Sequence, residues 1–484
     1  MSAADDQFRY ARIVAKDRAY DGQFLTGVHT TGIYCLPSCP ARKPKFENVS
    51  FFDEEAEALA AGLRPCKRCR PDIYHRGSDW DAELYQNLLA RLRCDITAVK
   101  TVADLCALSG ISSSKFNELL RVHGHLRPTA LLRRERVHRV KALLLETKDK
   151  VIDVGHAAGF DSEATFHRQF SLATGLTPGA YRALRDADGF LIQLPANYAA
   201  ADVLGYFARD PAQLAERVSG RTVCKAFTTE NGPAILSIEF RDDSRHAWCQ
   251  WHADRPLSLA DRAHAHALAV RMLGLSHDAP AFEARANSEP EIARLLGART
   301  GLRPPLTATV FEALVWAIVG QQVNIRFATT LRSVAIELAG QRVSGSSLYL
   351  HPSPSQLAGL DVADLTSRKF SGSKAAYLLG AAQSVASGAL ALETLRDGSA
   401  LLAERALLAL RGVGPWSAAY VMLRGIGFDD CVPVGDSGLN EGLKRFFALP
   451  ERPDPARTRQ LMQVFSPHCT LATSHLWASL KEGG

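Results

Sequence analysis

Hydrophobic and polar positions divide the chain into stretches of different periodicity. Residues 1–75 are rich in turn-forming residues, whereas residues 80–185 repeat apolar positions at helical spacing with short breaks. Residues 190–266 alternate more as strands do, and residues 267–480 return to helical periodicity. The predicted strands are 190–194, 223–228 and 235–240. The predicted domain boundaries are the polar, glycine-containing segments 76–79 and 186–189.

Charged residues are distributed unevenly between the two halves of the chain. The 484 residues carry a net charge of +6. Residues 1–187 hold 28 Lys and Arg against 23 Asp and Glu, while residues 188–484 hold 29 against 28. This mild basic bias is compatible with nucleic-acid binding. No apolar run approaches the ~18 residues of a membrane span, and the N-terminus lacks an apolar signal core. We therefore expect a cytoplasmic protein with no membrane partner.

Four of the ten cysteines form two close pairs, Cys35-x3-Cys39 and Cys66-x2-Cys69, which are 26 residues apart. Two such pairs can place four sulfurs tetrahedrally around one ion, and four thiolates favour zinc or an iron–sulfur centre. Spacing alone leaves open a purely structural zinc site. The other six cysteines lie in apolar or helical surroundings, so we interpret them as small buried hydrophobes.

The residues around these cysteines carry a specific resemblance. The segments Thr30-Thr-Gly-Ile-Tyr-Cys-Leu-Pro-Ser-Cys39 and Arg64-Pro-Cys-Lys-Arg-Cys69 resemble the N-terminal domain of the Ada-type DNA methylphosphotriester repair proteins, over residues 8–75. The resemblance implies one Zn²⁺ held by four cysteine thiolates, with Cys35 accepting a methyl group from a DNA phosphotriester. It also implies that Arg42 and Arg64 contact DNA.

A metal-bound cysteine suits such a transfer. Metal coordination keeps a thiol deprotonated at neutral pH, so it can act as a nucleophile. Methylation of one thiolate removes a negative charge, which weakens repulsion from the DNA backbone and raises affinity. Methylated Cys35 would therefore switch on DNA binding. The transfer is stoichiometric, because no residue nearby regenerates the thiol.

Two helix-turn-helix patterns follow, at residues 102–121 and 151–170. Gly110 and Gly159 make the turns. The predicted caps of the second helices are Ser112 or Ser113 and Asp161 or Ser162. A basic helix predicted over 128–146 joins the units. Paired units of this kind can set two helices into successive major grooves, although a plain helical bundle with solvated charges would have the same pattern.

The second unit resembles a known regulator domain. Ala158-Gly-Phe160 and the later Gly175-Leu-Thr-Pro-Gly-Ala-Tyr-Arg182 are similar to the AraC/XylS-type DNA-binding domain, over residues 83–185. The resemblance implies binding to double-stranded promoter DNA, with Lys115 and Arg168 among the contacting side chains. RNA polymerase is a further candidate partner of such a regulator.

Two short motifs carry the chemistry of the last third of the chain. The segment Leu410-Arg-Gly-Val-Gly-Pro-Trp-Ser-Ala418 indicates a hairpin between helices, where glycines permit a tight turn and the next helix offers free N–H groups to a phosphate. Farther on, Gly435 and Gly438 flank a lone carboxylate, Asp436. On spacing alone, a simple helix connection and an N-cap aspartate also explain these motifs.

With Phe311-Glu-Ala-Leu-Val-Trp-Ala-Ile-Val-Gly-Gln-Gln-Val323 and Ser474-His-Leu-Trp477, these motifs resemble the helix-hairpin-helix DNA glycosylases of the AlkA, or 3-methyladenine DNA glycosylase II, type over residues 190–480. The resemblance implies that Asp436 is the catalytic carboxylate. It assigns the base pocket to Trp416, Tyr420, Trp477 and Gln321. It assigns DNA contacts to Gly412, Gly414 and Gln322. Gln322 stands where relatives place an apolar side chain in the gap left by the flipped base, so we expect weaker insertion or another residue in that role.

The chemistry supports these assignments. A base must leave the duplex to be cut out, and alkylation at a ring nitrogen makes it a cation, which aromatic faces attract. A cationic base leaves without a general acid, so one carboxylate can stabilise the sugar oxocarbenium and place water. Ser417, not a lysine, follows Trp416, which argues against a Schiff-base lyase and for a monofunctional hydrolase. Taken alone, Trp416 and Trp477 are also explained as core aromatics.

The expected fold is multidomain and mainly α with small α+β parts. Its expected domains are a zinc-bound α+β domain at 1–78, an AraC-type double helix-turn-helix at 79–187, an AlkA-type α/β domain at 188–300 and an all-α helix-hairpin-helix glycosylase at 301–484. The expected function is excision of bases such as 3-methyladenine from alkylated DNA, combined with sequence-specific DNA binding switched on by Cys35 methylation. The alternative is a methylation-sensing regulator with an inactive glycosylase-like half.

Overall fold

The computed structural model describes residues 3–17, 20–75, 80–297 and 299–480. The predicted boundary segment 76–79 lies outside these residues. The chain divides into two compact units, Met1–Leu88 and Leu89–Gly484, and the finer division into four domains stays a prediction. Within the described ranges, no helix has both the length and the apolar character that a membrane crossing requires.

The first unit is built on a four-stranded sheet. Its strands are β1 Leu25–Val28, β2 Ile33–Cys35, β3 Val49–Phe52 and β4 Arg64–Pro65. Its helices are α1 Ala3–Ala15, α2 Glu55–Ala60 and α3 Pro71–His75, and α4 Trp80–Cys94 follows. The strand order is β3-β1-β2-β4, with β2 and β4 parallel and the other pairs antiparallel. Because Tyr34 pairs with Pro65, Cys35 and Cys66 leave the sheet side by side.

The two predicted helix-turn-helix units are present at the start of the second unit. Their helices are α5 Val102–Ser109, α6 Ser113–Leu119, α7 Pro128–Glu146, α8 Val151–Ala157, α9 Glu163–Thr174 and α10 Pro178–Arg182. Gly110 and Gly159 make the turns with φ of 71° and 86°, which glycine adopts without strain. The Ser112 and Ser162 side chains accept the capping hydrogen bonds of α6 and α9.

A five-stranded antiparallel sheet follows. Its strands are β5 Gly189–Gln193, β6 Glu216–Ser219, β7 Thr222–Thr229, β8 Gly232–Phe240 and β9 His246–Ala253. Its helices are α11 Ala200–Phe207 and α12 Leu259–Met272. The order is β5-β9-β8-β7-β6. The three predicted strands correspond to β5, β7 and β8. The predictions missed β6, a short edge strand, and β9, whose alternation is interrupted by apolar Trp248 on its less buried face.

The helix-turn-helix helices and this sheet share one apolar core. Phe166 and Phe170 of α9 belong to the same buried cluster as Phe190 and Ile192 of β5. His266 of α12 also bonds through Nε2 to the carbonyl of Thr174, at 2.8 Å. The second helix-turn-helix unit is therefore packed directly on the sheet.

The remaining residues form a helical region. Its helices are α13 Ala279–Ala284, α14 Pro290–Leu296, α15 Val310–Val319, α16 Ile325–Ala339, α17 Pro354–Ala358, α18 Val362–Thr366, α19 Gly372–Ala386, α20 Ala400–Leu408, α21 Pro415–Val421, α22 Ser437–Phe446, α23 Pro455–Met462 and α24 Cys469–Ser479. All ten residues of α15 are buried, and nine of them are apolar, as expected for a core helix. The predicted hairpin connects α20 to α21.

A buried ion-pair network connects the five-stranded sheet to these helices. Arg332 of α16 lies 3.0 Å from Asp210 and 2.7 Å from Glu216. Lys225 of β7 lies 3.2 Å from Glu216 and 2.9 Å from Glu312 of α15. Since every charge in the network has a partner of opposite sign, removing one would leave a buried charge unpaired. The network fixes the sheet against α15 and α16, the two helices on either side of Gln321.

Candidate functional site

The four clustered cysteines meet as the sequence predicts. The sulfurs of Cys35, Cys39, Cys66 and Cys69 all lie within 4.8 Å of one another, and the Cys39–Cys66 sulfur distance is 4.0 Å. Sulfurs about 2.3 Å from a tetrahedral zinc ion are ~3.8 Å apart. The donor set therefore fits one zinc ion in size as well as in chemistry.

The pKa shifts of the clustered thiols also indicate a site suited to a cation. Hydrogen bonds with Cys39 and the other two thiols raise the pKa of the Cys35 thiol, while hydrogen bonds with Cys35 and the others lower the pKa of Cys66. Sulfurs this close must share protons, because four neighbouring thiolates would repel one another. A bound divalent cation would allow all four to ionise together.

Basic side chains surround the cluster. The predicted DNA-contacting residues Arg42 and Arg64 are both exposed, as are Lys67 and Arg68 between the second pair of cysteines. Lys43 is half-buried and donates from Nζ to the carbonyl of Cys39 at 2.8 Å. Positive charge beside the cluster offsets a negative tetrathiolate and can attract phosphate.

The predicted DNA-contacting residues of the helix-turn-helix units lie on the second helix of each pair. Lys115 is partly exposed in the first turn of α6, and Arg168 is exposed on α9. Phe116 and Phe166 point the opposite way, into the core, with exposures of about 1% each. Each helix therefore keeps a polar face available to a DNA groove.

Asp436 lies between two tryptophans far apart in sequence. The indole Nε1 of Trp416 donates to its Oδ2 at 3.0 Å, and that of Trp477 donates to its Oδ1 at 2.9 Å. Asp436 also caps α22, because Oδ1 accepts from the backbone N–H of Leu439 at 2.7 Å. The N-cap interpretation is thus correct locally, but it does not account for two indole donors on one partly exposed carboxylate.

Aromatic rings form the walls beside this carboxylate. The rings of Trp416 and Tyr420 are stacked, with centroids 5.6 Å apart and planes inclined by 29°. A Cβ added to Gly438 would lie 3.1 Å from the Trp477 ring and 3.2 Å from Asp436 Oδ1. The glycine after Ser437 therefore lets the backbone approach the indole and the carboxylate closely.

The segment 320–324 joins the candidate pocket to the hairpin. Gln321 donates from Nε2 to the carbonyl of Gly412 at 2.8 Å and to Ser417 Oγ at 2.9 Å. Gly412 has a φ of +86°, and a Cβ there would meet the Tyr377 ring at 2.2 Å. Gly414 faces open space. Gln322 is exposed and has a φ of +56°.

Three protein-family models match the chain in the order of these features. The metal binding domain of Ada matches residues 8–72, a helix-turn-helix domain matches 105–184, and the HhH-GPD superfamily of base excision DNA repair proteins matches 315–468. The four cysteines, which all lie in the first match, form the zinc-binding site of an Ada-type domain.

A relative covers almost the whole chain. The probable bifunctional transcriptional activator/DNA repair enzyme AlkA of Mycobacterium tuberculosis is 31% identical over 98% of this chain and 96% of its own length. The chain belongs to this family of bifunctional activator/repair enzymes. The DNA-3-methyladenine glycosylase of Bacillus subtilis is 25% identical over 60% of this chain and 97% of its own length.

A solved structure shares its fold with a large part of this chain. The 3-methyladenine DNA-glycosylase of Archaeoglobus fulgidus has a TM-score of 0.54 and 17% identity, over 61% of this chain and 99% of its own.

The sequence patterns missed part of the pocket wall. Arg209 stacks on the rings of Tyr206 and Trp316, with its Cζ at 4.0 and 4.3 Å from their centroids. Arg424 lies 4.8 Å from the Tyr206 ring and 5.3 Å from the Trp477 ring. This alternating stack of rings and guanidinium groups stiffens the wall behind Trp477. Tyr206 and Arg209 precede the nearest of the quoted motifs, Phe311–Val323, by about a hundred residues, so no spacing pattern could connect them.

Proposed function

We propose that this protein removes alkylated bases from duplex DNA and also takes up methyl groups from DNA phosphotriesters on Cys35. The observation that carries the first activity is the Asp436 carboxylate, whose two oxygens each accept an indole N–H. Two neutral donors orient a carboxylate without neutralising it. Its negative charge therefore remains available to a cation formed beside it.

Base excision needs a cation-stabilising group and a water molecule. As the bond between base and sugar breaks, the electron pair leaves with the base and the sugar becomes an oxocarbenium ion. Asp436 stabilises that ion and accepts a proton from the attacking water. Ser417 occupies the position after Trp416 and accepts a hydrogen bond from Gln321, so this position offers no amine for a Schiff base. We therefore infer a monofunctional hydrolase.

The aromatic walls select the base. Trp416, Tyr420 and Trp477 offer flat faces beside Asp436, and a base carrying a positive charge binds such faces more tightly than a neutral one. Gln321, fixed by the hairpin carbonyl of Gly412, borders the same space. The substrate class is therefore ring-alkylated bases such as 3-methyladenine.

Methyl transfer is assigned to Cys35. Bound zinc keeps the cysteine sulfurs ionised at neutral pH. The Cys35 sulfur attacks the methyl carbon of a phosphotriester, a sulfur–carbon bond forms, and the carbon–oxygen bond breaks to release an ordinary phosphodiester anion. Exposed Arg42 and Arg64 hold the DNA backbone. The methylated cluster carries one negative charge fewer, so DNA affinity rises, and the helix-turn-helix units then hold promoter DNA for RNA polymerase.

One experiment tests both activities. Duplex DNA carrying labelled methyl groups on bases and phosphates is incubated with the protein, and free base and protein-bound label are measured separately. Asp436→Asn should abolish base release and leave label on the protein, whereas Cys35→Ser should do the reverse. Base release that persists in Asp436→Asn would contradict the catalytic assignment. Wild-type protein that takes up label but releases no base would favour the alternative, a regulator with an inactive glycosylase-like half.

A further inference from the structure

The first helix-turn-helix unit contacts the loop that carries Asp436. Helix α6 continues into a π-helical turn, Leu120–Gly124. The turn ends at His125, which has a left-handed φ of +49°. Among residues other than glycine, histidine, asparagine and aspartate adopt this backbone most readily. It points the imidazole away from the DNA-facing end of α6 and onto residues 427–436.

Two contacts join His125 to this loop. Its ring packs edge-on against Phe428, with centroids 5.3 Å apart, and its Nδ1 lies 3.8 Å from the sulfur of Cys431. Burial lowers the pKa of the His125 imidazole, which favours the neutral ring in this contact. Cys431 precedes Asp436 by five residues, which leaves little chain between the contact and the carboxylate.

The opposite side of the loop is held by α24. Thr470 donates from Oγ1 to the carbonyl of Phe428 at 2.6 Å and accepts from the N–H of Cys431 at 3.2 Å. Asp430 accepts from Ser466 Oγ at 2.7 Å. Because α24 also carries Trp477, the loop lies between the helix that supplies one indole donor and the helix-turn-helix unit.

The same turn contacts the hairpin. His123 is buried, and its Nδ1 lies 2.8 Å from Ser399 Oγ. Ser399 caps α20, the first hairpin helix, by accepting from the N–H of Leu402. The hairpin leads from α20 to α21, whose second residue is Trp416. The π-helical turn and His125 therefore contact two segments of the site: the start of α20, which leads through the hairpin to Trp416, and the loop that ends at Asp436.

We propose that His125 is a positioning residue for base excision, and that the first helix-turn-helix unit is thereby a structural part of the glycosylase site. The imidazole sets the loop so that the Asp436 oxygens meet the indole N–H groups of Trp416 and Trp477. The inference rests on the proposed function for its effect on rate, but its effect on the indoles can be measured without any reaction. Helix α6 carries Lys115, a predicted DNA contact, and runs directly into the turn that ends at His125. The same element would therefore bind the DNA groove and position the Asp436 carboxylate.

His125→Asn is the sharpest test, because asparagine accepts a left-handed backbone but lacks the ring. His138→Asn is the matched control, since His138 is exposed on α7, the helix that joins the two units. The full-length, zinc-loaded protein is labelled with 5-fluorotryptophan. Its six tryptophans are assigned by single Trp→Phe exchanges. Fluorine spectra are compared with single-turnover release of 7-methylguanine and with affinity for duplex DNA carrying a tetrahydrofuran abasic site.

His125→Asn is expected to shift the Trp416 and Trp477 signals and to slow release about tenfold or more, since small misplacements of a reacting group are costly. DNA affinity should stay within about twofold, a range that changes binding free energy little. A purely structural histidine would lower the melting temperature while leaving the spectra and the rate of folded protein unchanged, which would overturn the proposal.

Two further outcomes are separable. If His125→Asn does not fold, Cys431→Ala removes the sulfur contact from the loop side, and unchanged Trp416 and Trp477 signals there would overturn the proposal. If wild-type protein releases no base while the two signals still shift in His125→Asn, the proposed function fails and the positioning stands. If wild-type protein releases base and the signals do not move, only the positioning fails.

Discussion

The thiol cluster and the Asp436 site differ in how their negative charge is stabilised. Four ionisable sulfurs lie within 4.8 Å in the first, and their proximity drives the pKa values of Cys35 and Cys66 in opposite directions. In the second, a lone carboxylate is held by neutral N–H donors from Trp416 and Trp477. The cluster therefore depends on a cation for its stability, whereas the aspartate site is complete in protein groups and keeps its charge for a substrate.

The largest difference should appear on removal of zinc. Structural zinc contributes roughly 10–16 kcal/mol of binding free energy in small zinc peptides at neutral pH. We expect a strong chelator to make residues 20–75 susceptible to proteolysis and to abolish methyl uptake, while base release continues. Fragment mapping by mass spectrometry and a base-release assay measure the two outcomes. Loss of base release at the same chelator concentration would show that the aspartate site also depends on the metal.

The second-largest difference should appear at acidic pH, which destabilises the two regions by different mechanisms. Burial lowers the pKa of His266 to about 3 and that of His351, His468 and His475 to about 4. In the unfolded chain these groups titrate near pH ~6.5. Between the two values the unfolded state binds more protons, so the second unit loses stability as pH falls from 6.5 to 4, by at most roughly 3 kcal/mol per histidine.

Urea unfolding of the second unit at pH 7.5, 6 and 5 measures this loss. His475→Gln should flatten the dependence, because it removes a group that must be neutral when buried, whereas exposed His138→Gln should not. In the first unit, acid acts by a different route, since protons compete with zinc for the thiolates. An unfolding free energy of the second unit that is constant across this range would contradict the buried-histidine explanation.

The same contrast explains what the sequence could predict. The cysteine cluster is specified by residues close together in the sequence. Two short cysteine pairs and a basic segment set the type, number and spacing of the metal ligands, and the fold only has to pair β2 with β4. The helix-turn-helix units are similar, because Gly110, Ser112, Gly159 and Ser162 each have a role fixed by neighbouring residues. The long helix α7 has the bounds that its periodicity predicts, Pro128–Glu146.

The aspartate site is only partly local. The motifs around Trp416, Asp436 and Trp477 could be recognised, and the structure brings these three residues together, although their roles stay predictions. The wall formed by Tyr206 and Arg209 could not be found, because it arises where a helix beside the sheet packs on distant helices. For the same reason, nothing in the sequence linked His125 to the loop before Asp436.

The indole donors give a smaller and more specific effect. Trp416→Phe and Trp477→Phe keep an aromatic face but remove one hydrogen bond to the carboxylate. A hydrogen bond to a charged group is worth about 1.5–3 kcal/mol, so each exchange should slow base release roughly tenfold to a hundredfold. Trp248→Phe on β9 is the control. Methyl uptake by Cys35 should be unchanged in all three, as a labelled-methyl assay can show.

The smallest expected effect concerns the gap that a flipped base leaves in the duplex. The glycosylase resemblance places Gln322 there, yet this side chain is polar and exposed, and its backbone is left-handed. Ile325, three residues on, is 67% exposed, the highest value among large hydrophobic side chains in the described residues. It stands in the first turn of α16, beside the segment that Gln321 attaches to the hairpin. Apolar side chains are the kind that proteins insert between base steps, so we infer that Ile325 enters the gap.

We therefore expect Ile325→Ala to lower base release from duplex DNA about tenfold, equivalent to ~1.4 kcal/mol, and Gln322→Ala to lower it by less than about twofold. Neither should affect release from single-stranded DNA, where no stack has to be refilled. Single-turnover assays on both substrates separate the effect on flipping from the effect on chemistry. A larger loss in Gln322→Ala than in Ile325→Ala would show that Gln322 fills the gap. Equal losses of Ile325→Ala on duplex and single-stranded DNA would show that Ile325 acts on the Asp436 site and not on the gap in the duplex.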